Sequence, residues 1–401
     1  MVGMRRLYEN VLEEHLRAHR QMIFLMGSRQ VGKTTTSLRK NADAYFNWDN
    51  LDQQKLIIKG PGAIADEIGL AGLKSGKALI VFDEIHKYGK WKNFIKGFFD
   101  TYGTKTKIIL TGSARLDVFK AGGDSLMGRY FPYRIHPLSI GELLDPTLYK
   151  DEIKRIPKEI SDKRLDALLR FGGFPEPYLK KSPQFYGRWK NLRKGQLFRE
   201  DIRDLTRVQE LAQIELLADI LAGQIGQLTT YASLANKVNV SILTIKRWLE
   251  ILRRLYYCYS IQPWSKNVTR SLLKEPKFYL WDWSLVKGEG ARLENFVASH
   301  LLKAVHYWTD RGFGTYDLYF LRDKEKREVD FLVTKDGEPW FIAEVKNGYK
   351  GLSKQLYYYQ KQIGAKHAFQ LCKEAPYVKK NAFTVKTPVI VPLKTFLSQL
   401  P

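Results

Sequence analysis

Two cysteines among 401 residues, Cys258 and Cys372, are too few for a disulfide framework or a multi-cysteine zinc site. Histidine is scarce too, with seven. His15 and His19 have the spacing of a zinc-binding HExxH helix, but Leu16 stands where that motif needs glutamate, so the pair gives no metal site. No apolar run approaches the ~18 residues of a membrane span, and the start MVGMRRLYEN lacks the apolar core of a signal peptide. The expectation is a cytoplasmic chain. Acidic residues are also short, 42 against 66 Lys and Arg, which leaves a net charge of +24. Residues 1–150 hold 23 basic and 15 acidic side chains, 151–270 hold 22 and 13, and 271–401 hold 21 and 14. The excess is spread evenly, so no detachable basic arm exists. Either several domains meet one polyanion, with DNA the expected partner, or the basicity is background.

What is present begins at Gln21, in QMIFLMGSRQVGKTTT. A short β-like run, Met22–Met26, enters Gly27-Ser28-Arg29-Gln30-Val31-Gly32-Lys33-Thr34, which is GxxxxGKT between a strand and a helix. Glycines let the loop turn its N–H groups inward, and Thr34 and Thr35 open the helix facing the phosphates. Lys33 is placed for the β- and γ-phosphates and the Thr34 hydroxyl for Mg²⁺. A second apolar strand, KALIVFDE, ends in Asp83 and Glu84 about fifty residues later. Asp83 suits the Mg²⁺ shell and Glu84 the polarisation of an attacking water. A third, Lys107–Leu110, ends in Thr111-Gly112-Ser113, where Thr111 or Ser113 could sense the γ-phosphate. Between them Trp91–Asp100 is amphipathic, with Phe94, Ile95, Phe98 and Phe99 on its packing face. The alternation predicts a parallel α/β sheet. Thr334-Lys335-Asp336 is no guanine-specificity motif, so ATP is the expected nucleotide.

GSRQVGKT, IVFDEIHK, ILTGSARL and SLMGRYFPYRIHPLSIGEL, in that order, resemble a prokaryotic AAA+-type ATPase family with a C-terminal domain of uncertain role. The likeness continues through GGFPEPYL, REDIRDLTRV and a late EVDFLV…EVK segment. It implies an ATP site at Lys33, Thr34, Asp83 and Glu84, with the sensor at Thr111 or Ser113. Arg129, after Gly128, either stabilises the γ-phosphate in cis, reaches a neighbouring subunit of a homo-oligomer, or is a structural ion pair.

The expected organisation is α/β: a P-loop AAA+-type core at 1–150, a helical linker at 151–210, a winged helix at 211–265 and a smaller α/β nuclease-like domain at 266–401. Gly172 to Pro177 form a candidate hinge. Arg188, Lys190, Arg193, Lys194, Arg199 and Arg203 on a helical stretch line a polyanion or a solvated face. Residues 211–263 read as three helices and a strand, a helix-turn-helix with a wing, with Lys246, Arg247 and Trp248 on the third helix. That unit either contacts DNA or serves as a packing module.

Arg327–Val333 and Trp340–Lys346 read as strands of a hairpin turned at Asp336-Gly337. Period-two alternation puts Glu344 and Lys346 on one face, with Asp330 opposite. The D…ExK order resembles the restriction-endonuclease-like fold, although Val329 replaces the proline of its PD form. The likeness implies a second Mg²⁺ or Mn²⁺ site at Asp330 and Glu344, with Glu294 as a further ligand and Lys346 on the hydrolytic water. The fold is equally compatible with lost catalysis. Two functions follow: an ATPase coupled to DNA binding or processing, or a nucleotide-dependent switch whose nuclease-like domain only mediates interactions.

Overall fold

The computed structural model describes residues 4–72, 76–112, 126–202, 211–265, 275–348 and 351–401, without the side chains of Glu200 and Asp201. Its chain divides into two compact units: 1–136 with 146–148, and 137–145 with 149–401. No described helix is long and apolar enough to cross a membrane.

The first unit is built on five parallel strands, β1 (Met22–Met26), β2 (Ala44–Asn47), β3 (Ala78–Asp83), β4 (Thr106–Gly112) and β5 (Tyr130–Arg134), in the order β2-β3-β4-β1-β5. β1, between β4 and β5, is buried along its whole length, which is why it reads as an unbroken apolar run. Phe24 stacks on Trp91, and Phe82 meets Phe94 and Phe98 edge-on, so the expected packing face of the helix Trp91–Tyr102 is the face buried. The helix Leu7–Ala18 buries Leu7, Tyr8, Val11, Leu12 and His15, and His15 Nδ1 lies 2.9 Å from the Tyr133 hydroxyl.

The second unit carries a seven-stranded mixed sheet, in the order β12-β11-β10-β9-β8-β6-β7. Its strands are β6 (Cys258–Pro263), β7 (Lys277–Leu280), β8 (Tyr316–Arg322), β9 (Glu328–Lys335), β10 (Glu338–Lys346), β11 (His367–Cys372) and β12 (Val389–Pro392). The β9–β10 turn is the expected one: Lys335 pairs with Glu338, and Asp336 and Gly337 have φ of 52° and 86°, both left-handed as a two-residue turn requires. Helices Leu211–Gly223, Tyr231–Val238 and Ile242–Arg254 follow the sequence reading closely. Thr230 and Ser241 cap the last two by accepting from Ser233 N and Thr244 N, and Asn239 turns between them at φ 57°. β6 pairs antiparallel with β7 as a wing hairpin would, and Leu228 bridges Lys277, but β6 also pairs with β8 and so joins the larger sheet.

Within this unit the segment 137–145 is tied to the helix Glu289–Asp310. His300 Nδ1 can only donate to the Phe296 carbonyl, and Nε2 can only accept from Ile140 N, so the imidazole is neutral. Burial pushes its pKa down to about 3. A base held below its unfolded value contributes stability that is complete above about pH 6.5 and lost as pH falls toward 3. Urea unfolding at pH 4.5 rather than 7 should therefore show roughly 2–3 kcal/mol less stability from this group, a slope that His300→Gln removes.

Candidate active site

The P-loop leaves β1 at Gly27, where a Cβ would lie 2.5 Å from the Ile135 carbonyl oxygen, so only glycine lets the two backbones approach. Gly32, at φ 102°, then turns the chain into the six-residue helix Lys33–Leu38. Lys33 is 6% exposed, and its Nζ donates to the carbonyls of Gly27 at 3.0 Å and Ser28 at 2.9 Å. Burial lowers its pKa, opposed by the charges of Glu84 and Asp83. An ammonium folded back on loop carbonyls suits an anion that can replace them. Ser28 Oγ is buried without a hydrogen-bond partner among the described residues, a second sign that the loop is shaped for another group.

Three hydroxyls converge on Asp83. Thr34 donates to Oδ2 at 2.8 Å, Tyr45 donates to Oδ2 at 2.6 Å, and Thr111 donates to Oδ1. The sheet order explains the meeting, since β4 lies between β1 and β3 and brings Thr111 to the carboxylate. Glu84 follows at φ 53°, and its backbone N–H donates to Thr111 Oγ1 at 3.3 Å. Its Oε2 lies 3.7 Å from His86 Nε2 and 3.8 Å from Lys87 Nζ. Burial pushes the His86 pKa down against the pull of Glu84. Thr34 and Asp83 are the residues that would hold Mg²⁺, and their side chains already meet as a shared ligand set must.

The structure thus brings Lys33, Thr34, Asp83, Glu84 and Thr111 together, along with Gly27, Ser28, Arg29, Gln30, Val31 and Gly32 of the loop. Thr35 is exposed on the helix. Ser113 lies outside the described residues, as does Arg203. Arg129 does not belong to this site in cis. Its carbonyl accepts from Met22 N at the start of β1, whereas the P-loop leaves the other end, about 13 Å along the strand at the usual rise. Its guanidinium instead makes two bonds to Asp100, at 2.7 and 2.9 Å. Arg129→Ala should leave ATP turnover within about two-fold, since an exposed pair of this kind contributes little. A larger fall in a turnover assay would show action across a subunit boundary.

Sequence reading missed two residues here. Tyr45 sits on β2 in register with Val81, and only the strand order reveals that its hydroxyl reaches Asp83. Arg6, 4% exposed, donates to the Val31 carbonyl of the P-loop and to the His136 carbonyl, each at 2.6 Å. An arginine ahead of a helix carries no sequence signal for such a clamp.

The C-terminal candidates also come near one another. Asp330 Oδ2 accepts from Val345 N at 2.8 Å, Lys346 Nζ lies 2.6 Å from Glu344 Oε1, and Tyr279 donates to Glu294 Oε1 at 2.8 Å. Desolvation pushes the Asp330 carboxyl up to about 7, and Glu294 adds to the shift. Among the described residues no group of three or more His, Cys, Asp or Glu side chains is arranged to hold a metal ion.

In the middle region, Arg193 is not aimed at a polyanion. It packs 3.6 Å from the centre of the Phe174 ring and pairs with Asp282 at 3.3 Å, while Lys194 pairs with Asp219. Arg188, Lys190 and Arg199 are exposed. On the helix Ile242–Arg254, Lys246 and Arg247 are exposed but Trp248 is fully buried core.

The strand order, the loop and the acidic pair give the first unit the features of a P-loop nucleotide-binding domain. Residues 19–144 match the model of an AAA domain. Residues 162–289 and 289–395 match two domains of unknown function, DUF8612 and DUF4143. An uncharacterized protein of Mycobacterium tuberculosis is 23% identical over 339 residues, covering 80% of this chain and 69% of that protein. One from Methanocaldococcus jannaschii is 23% identical over 380 residues, covering 84% and 77%. Among solved structures, AMPPCP-bound DnaA from Aquifex aeolicus aligns with a TM-score of 0.32 at 16% identity, over 62% of this chain and 87% of that one. A signal-transduction ATPase with a tetratricopeptide repeat sensor from Pyrococcus horikoshii aligns at 0.23 and 13%, over 75% and 45%. Scores of this size assign no whole-chain fold.

Proposed function

We propose that the chain is a Mg²⁺-dependent ATPase whose turnover is coupled to DNA contact by the helix-turn-helix region at 211–265. The observation that carries the first half is the convergence of Thr34, Tyr45 and Thr111 on Asp83 beside the buried Lys33. Lys33 neutralises the β- and γ-phosphates once it leaves its loop carbonyls. Thr34 and Asp83 would hold Mg²⁺, which would supply charge neutralisation on the phosphate oxygens. Glu84 accepts a proton from the attacking water, and Thr111 fixes both the Asp83 carboxylate and the Glu84 backbone.

The DNA half is supported by the exposed Lys246 and Arg247 on the third helix, the β6–β7 hairpin beside it, and the chain's charge of +24. Duplex DNA should raise ATP turnover several-fold, with the stimulation falling steeply between 50 and 200 mM salt. The double variant Lys246→Ala, Arg247→Ala should keep the basal rate and lose the stimulation. Stimulation that survives in this variant would place the DNA contact elsewhere. Cleavage at Asp330, Glu344, Glu294 and Lys346 is the further reading of the C-terminal region, and the neighbourhood of Lys277 argues against it.

A further inference from the structure

Lys277, on β7, is a residue that the D…ExK pattern does not contain. Its side chain is 2% exposed, yet its ammonium is buried among carboxylates. Nζ lies 2.5 Å from Glu328 Oε1 and 3.7 Å from Glu294 Oε1, and Asp330 is close enough to raise the Lys277 pKa along with them. Each acidic group of the cluster is engaged by the chain itself. Glu294 accepts from Tyr279 and faces Lys277; its carboxylate also lies against Gly226, where a Cβ would sit 2.5 Å from Oε1. Glu328 is held between Lys277 and Arg322, each at 2.5 Å. Asp330 takes the Val345 N–H, and Glu344 takes Lys346. Four carboxyls thus face three cations supplied by the protein.

A divalent ion needs oxygen ligands free to surround it, and it repels fixed ammonium groups already among them. The ligand set implied by the nuclease likeness does not meet that need, because Glu294 is turned to Lys277 and Tyr279. One oxygen of the cluster, Glu344 Oε2, is buried without a partner among the described residues, and it is the oxygen an incoming ion would meet first.

We propose that the ammonium of Lys277 takes the place of the divalent cation in this cluster, so that the nuclease-like region is assembled without metal and does not cleave DNA. The buried lysine offsets part of the charge of Glu294, Glu328 and Asp330, with Arg322 sharing Glu328, and holds β7, β9 and the helix Glu289–Asp310 around one internal cation. The region is then a structural and interaction module, and this holds whether or not the first unit hydrolyses ATP.

The test uses the full chain without nucleotide. Bound Mn²⁺ is counted by electron paramagnetic resonance in wild type and in Asp330→Asn, a shape-conserving change that removes the charge of one essential ligand. The two should bind the same number of ions. One additional Mn²⁺ in wild type, lost in Asp330→Asn, overturns the proposal, and so does Mn²⁺-dependent nicking of plasmid DNA that needs Asp330. In parallel, Lys277→Met should lower the thermal midpoint by roughly 5–10 °C, because it leaves buried carboxylates without their cation. A Lys277→Met protein that melts with wild type would show that the ammonium does not hold the cluster, and would equally overturn the proposal. The wild-type and Asp330→Asn comparison stands even where Lys277→Met fails to fold.

Discussion

Glu84→Gln is expected to lower ATP turnover by roughly 10²–10⁴-fold while leaving nucleotide affinity near that of the wild type. The carboxylate stands at the end of β3 in a left-handed conformation, one residue past Asp83, and a neutral amide there keeps the shape but cannot take a proton from water. The loop should keep its shape, because Lys33 and Asp83 are held by Gly27, Ser28, Thr34, Tyr45 and Thr111. Steady-state turnover together with equilibrium binding of a fluorescent ATP analogue separates the two effects. Equal losses in binding and turnover would mean that Glu84 shapes the pocket rather than serving as the base.

The largest stability effect should come from Lys303. Its ammonium, 1% exposed, lies 2.5 Å from Glu142 Oε2 and 2.8 Å from Ser139 Oγ, and the Glu142 side chain is itself 0% exposed. Water cannot reach either charge. Removing one partner, as in Lys303→Ala, should cost about 3–5 kcal/mol, because Glu142 is left charged in a low-dielectric surrounding. Replacing both, as Lys303→Met with Glu142→Leu, should recover most of that loss, since the desolvation penalty disappears with the charges. Urea unfolding of the two variants checks both figures. A double variant as unstable as the single one would assign the effect to packing rather than to charge.

Much of the first unit was legible because its chemistry is local. The P-loop is one contiguous segment between a strand and a helix, and the apolar run of β1 and the DE ending of β3 are each readable without knowing their neighbours. β2 and β5 were missed, because Ala44–Asn47 has four residues and Tyr130–Arg134 alternates little; what makes them strands is pairing, β2 with β3 and β5 with β1. Missing β5 is also why Arg129 was a candidate for the phosphate: its distance from the P-loop depends on a register that only the sheet reveals. Tyr45 and Arg6 escaped for the same reason, since each acts on a residue at least 25 positions away in sequence.

The second unit shows the opposite balance. Its three helices and hairpin turn were readable, because their apolar spacing and Asp336-Gly337 signal their own conformations, whereas the capping roles of Thr230 and Ser241 emerge only in the structure. The strand Cys258–Pro263 reads as a wing in isolation, yet its pairing with β8 makes it part of the larger sheet. Lys277 likewise carries no motif, and its meaning comes from three carboxyls brought to it by β9 and the helix Glu289–Asp310.

The central claim, a P-loop ATPase whose turnover answers to DNA, is tested most directly by the ATP hydrolysis rate of the full chain in Mg²⁺, measured without nucleic acid and with single-stranded, duplex and branched DNA. The rate should be abolished by Lys33→Ala and raised several-fold by at least one of the DNAs at low salt. Hydrolysis that survives in Lys33→Ala, or a rate that none of the three DNAs changes, would contradict it.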